Sequence, residues 1–155
     1  MRVFASRPLL CLPAIGETRA VLMKDWHVAI GGSDFVVPRG TATDGASIPS
    51  ALSAVCGSSM QVPRVYAAMW HDPAYDGVFP GMTRREADAG YRELLVHFWL
   101  IPYMTDGVGR PARGLHARVH NAGVSVLNGL SRACAWVEWA ALRLFGGSHW
   151  RGEPT

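Results

Sequence analysis

The chain has 155 residues, 49% of them hydrophobic, and a formal net charge of +3 carried almost wholly by arginine, with Lys24 the sole lysine. That length and apolar content suit one domain with a self-sufficient core and exclude a disordered polar chain. The arginines are spread from Arg2 to Arg151 rather than gathered on one element, which excludes a dedicated nucleic-acid-binding footprint.

In chain order, apolar Leu9 to Leu12 is too short for a signal-peptide core and is bracketed by Pro8 and Pro13. Arg19 to Met23 and Trp26 to Ile30 read as short strands. Gly31-Gly32-Ser33-Asp34 reads as a turn, and Phe35-Val36-Val37 as a third strand ended by Pro38. The segment Thr43-Asp44-Gly45-Ala46-Ser47-Ile48-Pro49 follows as a loop. Pro63 suits the first turn of a helix running through Val65, Ala68 and Met69 to His71. Thr83 with Glu86 three residues on forms a capping box. The helix it opens places Ala87, Tyr91, Leu94, Leu95 and Phe98 at 3.6-residue spacing and stops near Leu100, before Pro102. A third helix spans about Pro111 to Phe145, with a break expected near Gly123 or Gly129, and Gly146-Gly147 ends it. The expected fold is α+β in a single domain, 1–155. A small N-terminal antiparallel β-sheet with loops (1–62) precedes a three-helix half (63–146) and a tail (147–155).

Cys11, Cys56 and Cys134 lie far apart without CxxC spacing and read as reduced thiols of a protein made in a cytosol. No run of 18 uncharged apolar residues is present, so no membrane span is expected. In the third helix Leu127, Leu130, Cys134, Val137, Ala141 and Leu144 trace a stripe that normally faces the core. Val126, Ala133, Trp136 and Ala140 lie off that stripe, so the helix is apolar nearly all round and needs cover on two sides. A partner subunit, a virion neighbour or a membrane surface would supply it, with Trp136, Trp139 and Trp150 as anchors. Complete burial inside one domain is the alternative.

The residues that carry chemistry are His71, Asp72, Tyr75, Asp88 and the Asp44-Gly45 loop. On a helix His71 and Tyr75 share a face while Asp72 points about 100° away, so imidazole and carboxylate address different targets. Asp88 sits on the next helix, on the side of Tyr91 and Leu95. Antiparallel packing lets its carboxylate fix the tautomer of His71, as the orienting acid of a histidine base does. Asp44 with the Gly45 carbonyl supplies hard oxygen ligands of the kind Ca²⁺ prefers. The plainer reading makes His71–Asp88 a satisfied buried pair and Asp44 a turn cap. His116 and His120, one helical turn apart, lack a third zinc ligand and read as an exposed face. Ser47 lacks a nucleophile-elbow pattern and reads as a turn cap.

Thr43-Asp44-Gly45-Ala46-Ser47-Ile48-Pro49, His71-Asp72-x-x-Tyr75, Thr83-Arg84-x-x-Ala87-Asp88 and Leu142-Arg143-Leu144-Phe145-Gly146, in that order, resemble the DUF1353 family over about residues 35–146. That resemblance implies a bacteriophage or prophage protein, made in the host cytoplasm and a candidate for the virion, with phage structural proteins as partners. It brings no settled activity.

The His-Asp-x-x-Tyr helix, with a carboxylate on the next helix, is also similar to phospholipase A2, the parvoviral capsid enzyme in particular. This second resemblance implies His71 as general base, Asp88 as its orienting partner and Tyr75 as a hydrogen-bonder behind them. Asp72, Asp44 and Gly45 would hold Ca²⁺, and a phospholipid surface would be the substrate. The chain departs from that pattern in lacking a Gly-x-Gly calcium loop and in carrying Pro73, expected to kink or end the first helix.

Overall fold

The computed structural model describes residues 3–11, 19–45, 61–100 and 115–151. Six strands, β1 (Val3–Ala5), β2 (Leu10–Cys11), β3 (Ala20–Leu22), β4 (Trp26–Ile30), β5 (Ser33–Val37) and β6 (Ala42–Thr43), precede three helices. These are α1 (Val62–Tyr75), α2 (Arg84–Trp99) and α3 (Leu115–Phe145). The fold is α+β. In place of one small sheet there are two three-stranded antiparallel sheets, ordered β1-β4-β5 and β2-β3-β6. Strands β1, β2 and β6 escape the sequence reading because two or three residues display no period of two.

Strand β4 shows that period clearly, burying Trp26, Val28 and Ile30 on one face. The expected turn shortens to Gly31-Gly32, since Ile30 pairs directly with Ser33 and β5 begins there. Both glycines have positive φ, +65° and +95°, as a two-residue hairpin of the primed class requires.

Helix α1 runs through Pro73 to Tyr75, so the proline does not end it, and the helix extends past His71. Proline so near a helix end forfeits one backbone hydrogen bond and leaves little helix beyond it to distort. The chain closes behind it, with Asp76 N donating to Asp72 O (2.9 Å) and Val78 N to Pro73 O (2.9 Å). Thr83 and Glu86 form the expected reciprocal cap of α2. The two helices pack closely because Gly90 leaves room for the Trp70 ring. A Cβ at position 90 would lie 2.4 Å from that ring. Phe79 stacks on Trp70 and Phe35 meets it edge-on.

Helix α3 is unbroken across Gly123 and Gly129. Its inward face also differs from expectation. Leu127, Leu130, Val137 and Leu144 are exposed, while Ala117, Val124, Asn128, Ala135, Glu138 and Ala141 are buried. The physical reason is a buried charge pair. Fully buried Arg64 of α1 donates through Nε and Nη2 to Glu138 Oε1 (3.0 and 2.5 Å). Tyr91 of α2 donates to Glu138 Oε2 (3.0 Å) and Gln61 accepts from Arg64 Nη1 (2.6 Å). A carboxylate and guanidinium that find each other in the interior fix the helix rotation, because either one alone there would cost several kcal/mol. Trp136 stays half exposed under the Arg92 guanidinium. Trp150 instead turns inward, its ring edge-on to Tyr75. Arg151 N donates to Tyr75 O (2.8 Å), so the chain beyond Gly147 is tied to α1 up to that point. No helix among the described residues is long and apolar enough to cross a membrane.

The Gly90–Trp70 contact yields a direct test. Gly90→Ala should cost about 1–3 kcal/mol through overpacking, although alanine is the better helix former. Measured as a denaturant midpoint, that cost should shrink in a Trp70→Phe background, since the clash is with the ring being removed.

Candidate active site

The site lies where the second half of α1, the first turns of α2 and the end of α3 meet. Asp88 is its fully buried centre. Oδ1 accepts a short hydrogen bond from the Tyr75 hydroxyl and faces His71 Nε2 at 3.3 Å. Oδ2 accepts from Arg143 Nη1 (3.2 Å) and lies 3.7 Å from Arg84 Nε, one helical turn back on α2. Arg84 also donates through Nε to the Tyr75 hydroxyl (3.3 Å) and through Nη2 to the carbonyls of Leu142 (2.7 Å) and Arg143 (3.0 Å). It thereby satisfies orphan carbonyls at the end of α3 with a positive charge, the sign that a helix C-terminus favours.

Gly146 and Gly147 permit this closeness. A Cβ at 146 would sit 2.9 Å from the Tyr75 hydroxyl, and one at 147 would sit 3.0 Å from Arg84 Nη1. Tyr75 reaches Asp88 only because α1 continues past Pro73.

On its other side His71 Nδ1 faces Asp72 Oδ1 at 3.9 Å, within ion-pair range and too far for a hydrogen bond. Asp72 is partly exposed, and its Oδ2 accepts from the Thr43 hydroxyl (2.6 Å). The same hydroxyl accepts from Gly45 N (3.1 Å), where φ is +92°. The structure therefore joins His71, Tyr75 and Asp88 directly, and docks the Asp44-Gly45 loop onto Asp72 through Thr43. Asp44 itself is exposed, and among the described residues no hydrogen bond or ion pair links it to Asp72. No group of three or more His, Cys, Asp or Glu among them is placed to hold a metal ion. His116 and His120 are exposed, and Ser47 lies outside the described residues.

The electrostatics follow from this layout. Burial alone would lower the pKa of His71, but the adjacent Asp72 carboxylate, with the hydrogen bond and charge of Asp88, outweighs it and holds it above the ordinary 6.5. Burial opposes ionisation of Asp88, yet His71, Tyr75 and Arg143 together hold its pKa below 3.8. Burial, then the bond to Asp88, pushes Tyr75 up to about 12, so its hydroxyl remains a donor at neutral pH.

Arg84, Arg143 and Thr43 are the participants that motif reading passes over. Each stands inside a block already singled out: Arg84 four residues before Asp88, Arg143 before the Gly-Gly stop, and Thr43 at the head of the Asp-Gly loop.

The model of the DUF1353 family, described as a protein family of unknown function, matches residues 18–104. This is more than half of the chain, and the protein belongs to that family. The match begins earlier than residue 35 and ends before α3, so it takes in His71, Asp72, Tyr75 and Asp88 and leaves out Arg143 and Glu138. No curated protein and no solved structure matches the chain.

Opposed pKa shifts give the site a pH signature. The raised His71 contributes stability that is fully present below pH 6.5 and lost as pH rises through its folded value. The depressed Asp88 contributes stability present above pH 3.8 and lost as pH falls through its folded value. Stability measured by denaturant across pH should therefore peak between these limits, and His71→Asn should flatten the decline on the alkaline side.

Proposed function

We propose that this DUF1353 protein carries a hydrolytic centre of the phospholipase-A2 kind, with His71 as general base and Asp88 as the acceptor that orients it. The orientation of His71 carries the reading. Nε2 is turned to a buried, ionised carboxylate, and Nδ1 is turned to partly exposed Asp72, the side from which the attacking water would have to come. In this role Nδ1 takes a proton from that water as its oxygen attacks the ester carbonyl carbon. When the carbon–oxygen bond to the leaving group breaks, the imidazolium returns the proton to the departing alkoxide, giving an acid and an alcohol. Tyr75, Arg84 and Arg143 hold Asp88 still and keep it charged throughout, which stabilises the imidazolium that forms.

Ca²⁺ is the proposed cofactor. Its oxygen donors would be the Asp72 carboxylate, Asp44 and the Gly45 carbonyl, with water or substrate completing the set. The fit rests on donor type and on the Thr43 bridge that brings the loop to Asp72. When bound, such an ion supplies positive charge to the developing oxyanion. A phospholipid surface is the proposed substrate, following the same likeness.

One observation favours a second reading. Asp88 ties three helices together, and a His71 with raised pKa between two carboxylates makes a good ionic staple. On that reading the protein is a non-catalytic component or assembly factor of a phage particle, produced in the bacterial host cytoplasm. The two part on one variant. As a base, His71→Asn should lower ester hydrolysis on phospholipid vesicles with Ca²⁺ by about 10²–10⁴-fold and, at a pH above the folded value of His71 where its charge no longer contributes, leave the denaturant midpoint nearly unchanged. The wild-type rate should rise with pH through a value above 6.5, because only the neutral imidazole accepts a proton. As a staple, the same change should cost about 1–3 kcal/mol, in a wild-type protein that cleaves none of the lipids offered.

A further inference from the structure

Helix α3 turns its polar residues inward and a row of aliphatic ones to solvent. Val119, Val126, Leu130, Val137 and Leu144 are 65, 64, 59, 45 and 75% exposed. With the small residues Gly123, Ala133 and Ala140 they form a seam whose steps alternate four, three, four and three residues from Val119 to Leu144. An average step of 3.5 keeps a seam facing one partner helix along its length, which neither a flat lipid surface nor a globular groove requires.

The flanking positions narrow the occupant. Ala122, Gly129 and Trp136 border one side of the seam, and His120, Leu127 and Cys134 the other, so α3 itself places no Asp, Glu, Lys or Arg on either border before Arg143, and Arg92 of α2, over Trp136, is paired with Glu93. Two identical copies therefore meet with little like-charge repulsion, while an anionic membrane finds no row of unpaired basic residues along the borders.

The seam also complements its own reverse. Run antiparallel about a centre between Ser131 and Arg132, it sets Leu130 against Ala133 of a second copy and Val126 against Val137. Val119 then meets Leu144, and Gly123 meets Ala140. At the borders Gly129 falls opposite the second copy's Trp136, and Leu127 opposite its Cys134. A Cβ at Gly129 would touch nothing within its own chain. The helix thus carries a glycine, about 1 kcal/mol poorer than alanine, at a place where the proposed register brings the second copy's bulk.

We propose that the outward seam of α3 is a homodimer interface, pairing two copies antiparallel as a two-stranded coiled coil. Sedimentation equilibrium on the full chain tests it. The wild type should be a dimer, and Leu130→Glu should weaken association by roughly 100-fold or more by burying an unpaired charge. Circular dichroism should be unchanged, since Leu130 lies outside the hydrophobic core. Orientation is read from Leu127→Cys: oxidation should give an interchain disulfide to Cys134, identified by peptide mass, which parallel in-register helices place too far apart. A monomeric wild type, a Leu130→Glu protein that still dimerises, or absence of that disulfide in a dimer would each overturn the proposal. So would a monomer that binds phosphatidylglycerol vesicles through Leu130.

Discussion

The carboxylate of Asp88 is the constraint on which the rest of the helical half depends. It is fully buried, and an ion taken out of water costs several kcal/mol unless its lone pairs are met. They are met by His71 and Tyr75 from α1, Arg143 from α3 and Arg84 from its own helix. No two of these helices can shift relative to one another without stranding a charge. The close approach of glycines 146 and 147 to Tyr75 and Arg84 is part of the same constraint, since a side chain there would push the donors away from the acid.

Position and chemistry are therefore set by the same contacts. Partners that make Asp88 tolerable in the interior also hold it ionised, and an ionised Asp88 turns the proton-bearing nitrogen of His71 inward. The outward nitrogen is left to Asp72 and to whatever enters beside it. A second polar node, Arg64–Glu138–Tyr91, repeats the logic one layer away. It sets the rotation of α3, and once Glu138 points inward the aliphatic row on the opposite side has to face out. The solvent-facing seam is thus a consequence of a buried ion pair.

Much of this was legible in the sequence, and the failures have physical causes. The capping box at Thr83, the β4 alternation and the His71-x-x-x-Tyr75 face all rest on local periodicity, which one chain displays directly. Strands of two or three residues carry no period. The fate of Pro73 depended on how much helix lay beyond it. Apolar residues usually face inward, yet Leu127, Leu130, Val137 and Leu144 face out; Glu138, which turns the helix, needs Arg64, and that residue lies 74 positions away, invisible to any window. Arg143 reaches Asp88 across 55 positions and was missed for the same reason. Local chemistry can be read from spacing, whereas the partners of buried charges are fixed by tertiary packing.

The ¹⁵N chemical shifts of the His71 ring nitrogens across pH report which of the two carries the proton. Above its pKa the imidazole should keep its proton on Nε2, where Asp88 accepts it, and present an unprotonated Nδ1 toward Asp72. Replacing Asp88 with asparagine should weaken that preference. A neutral imidazole carrying its proton on Nδ1, or one exchanging evenly between tautomers, would contradict the account, because the outward nitrogen could not then act as a base.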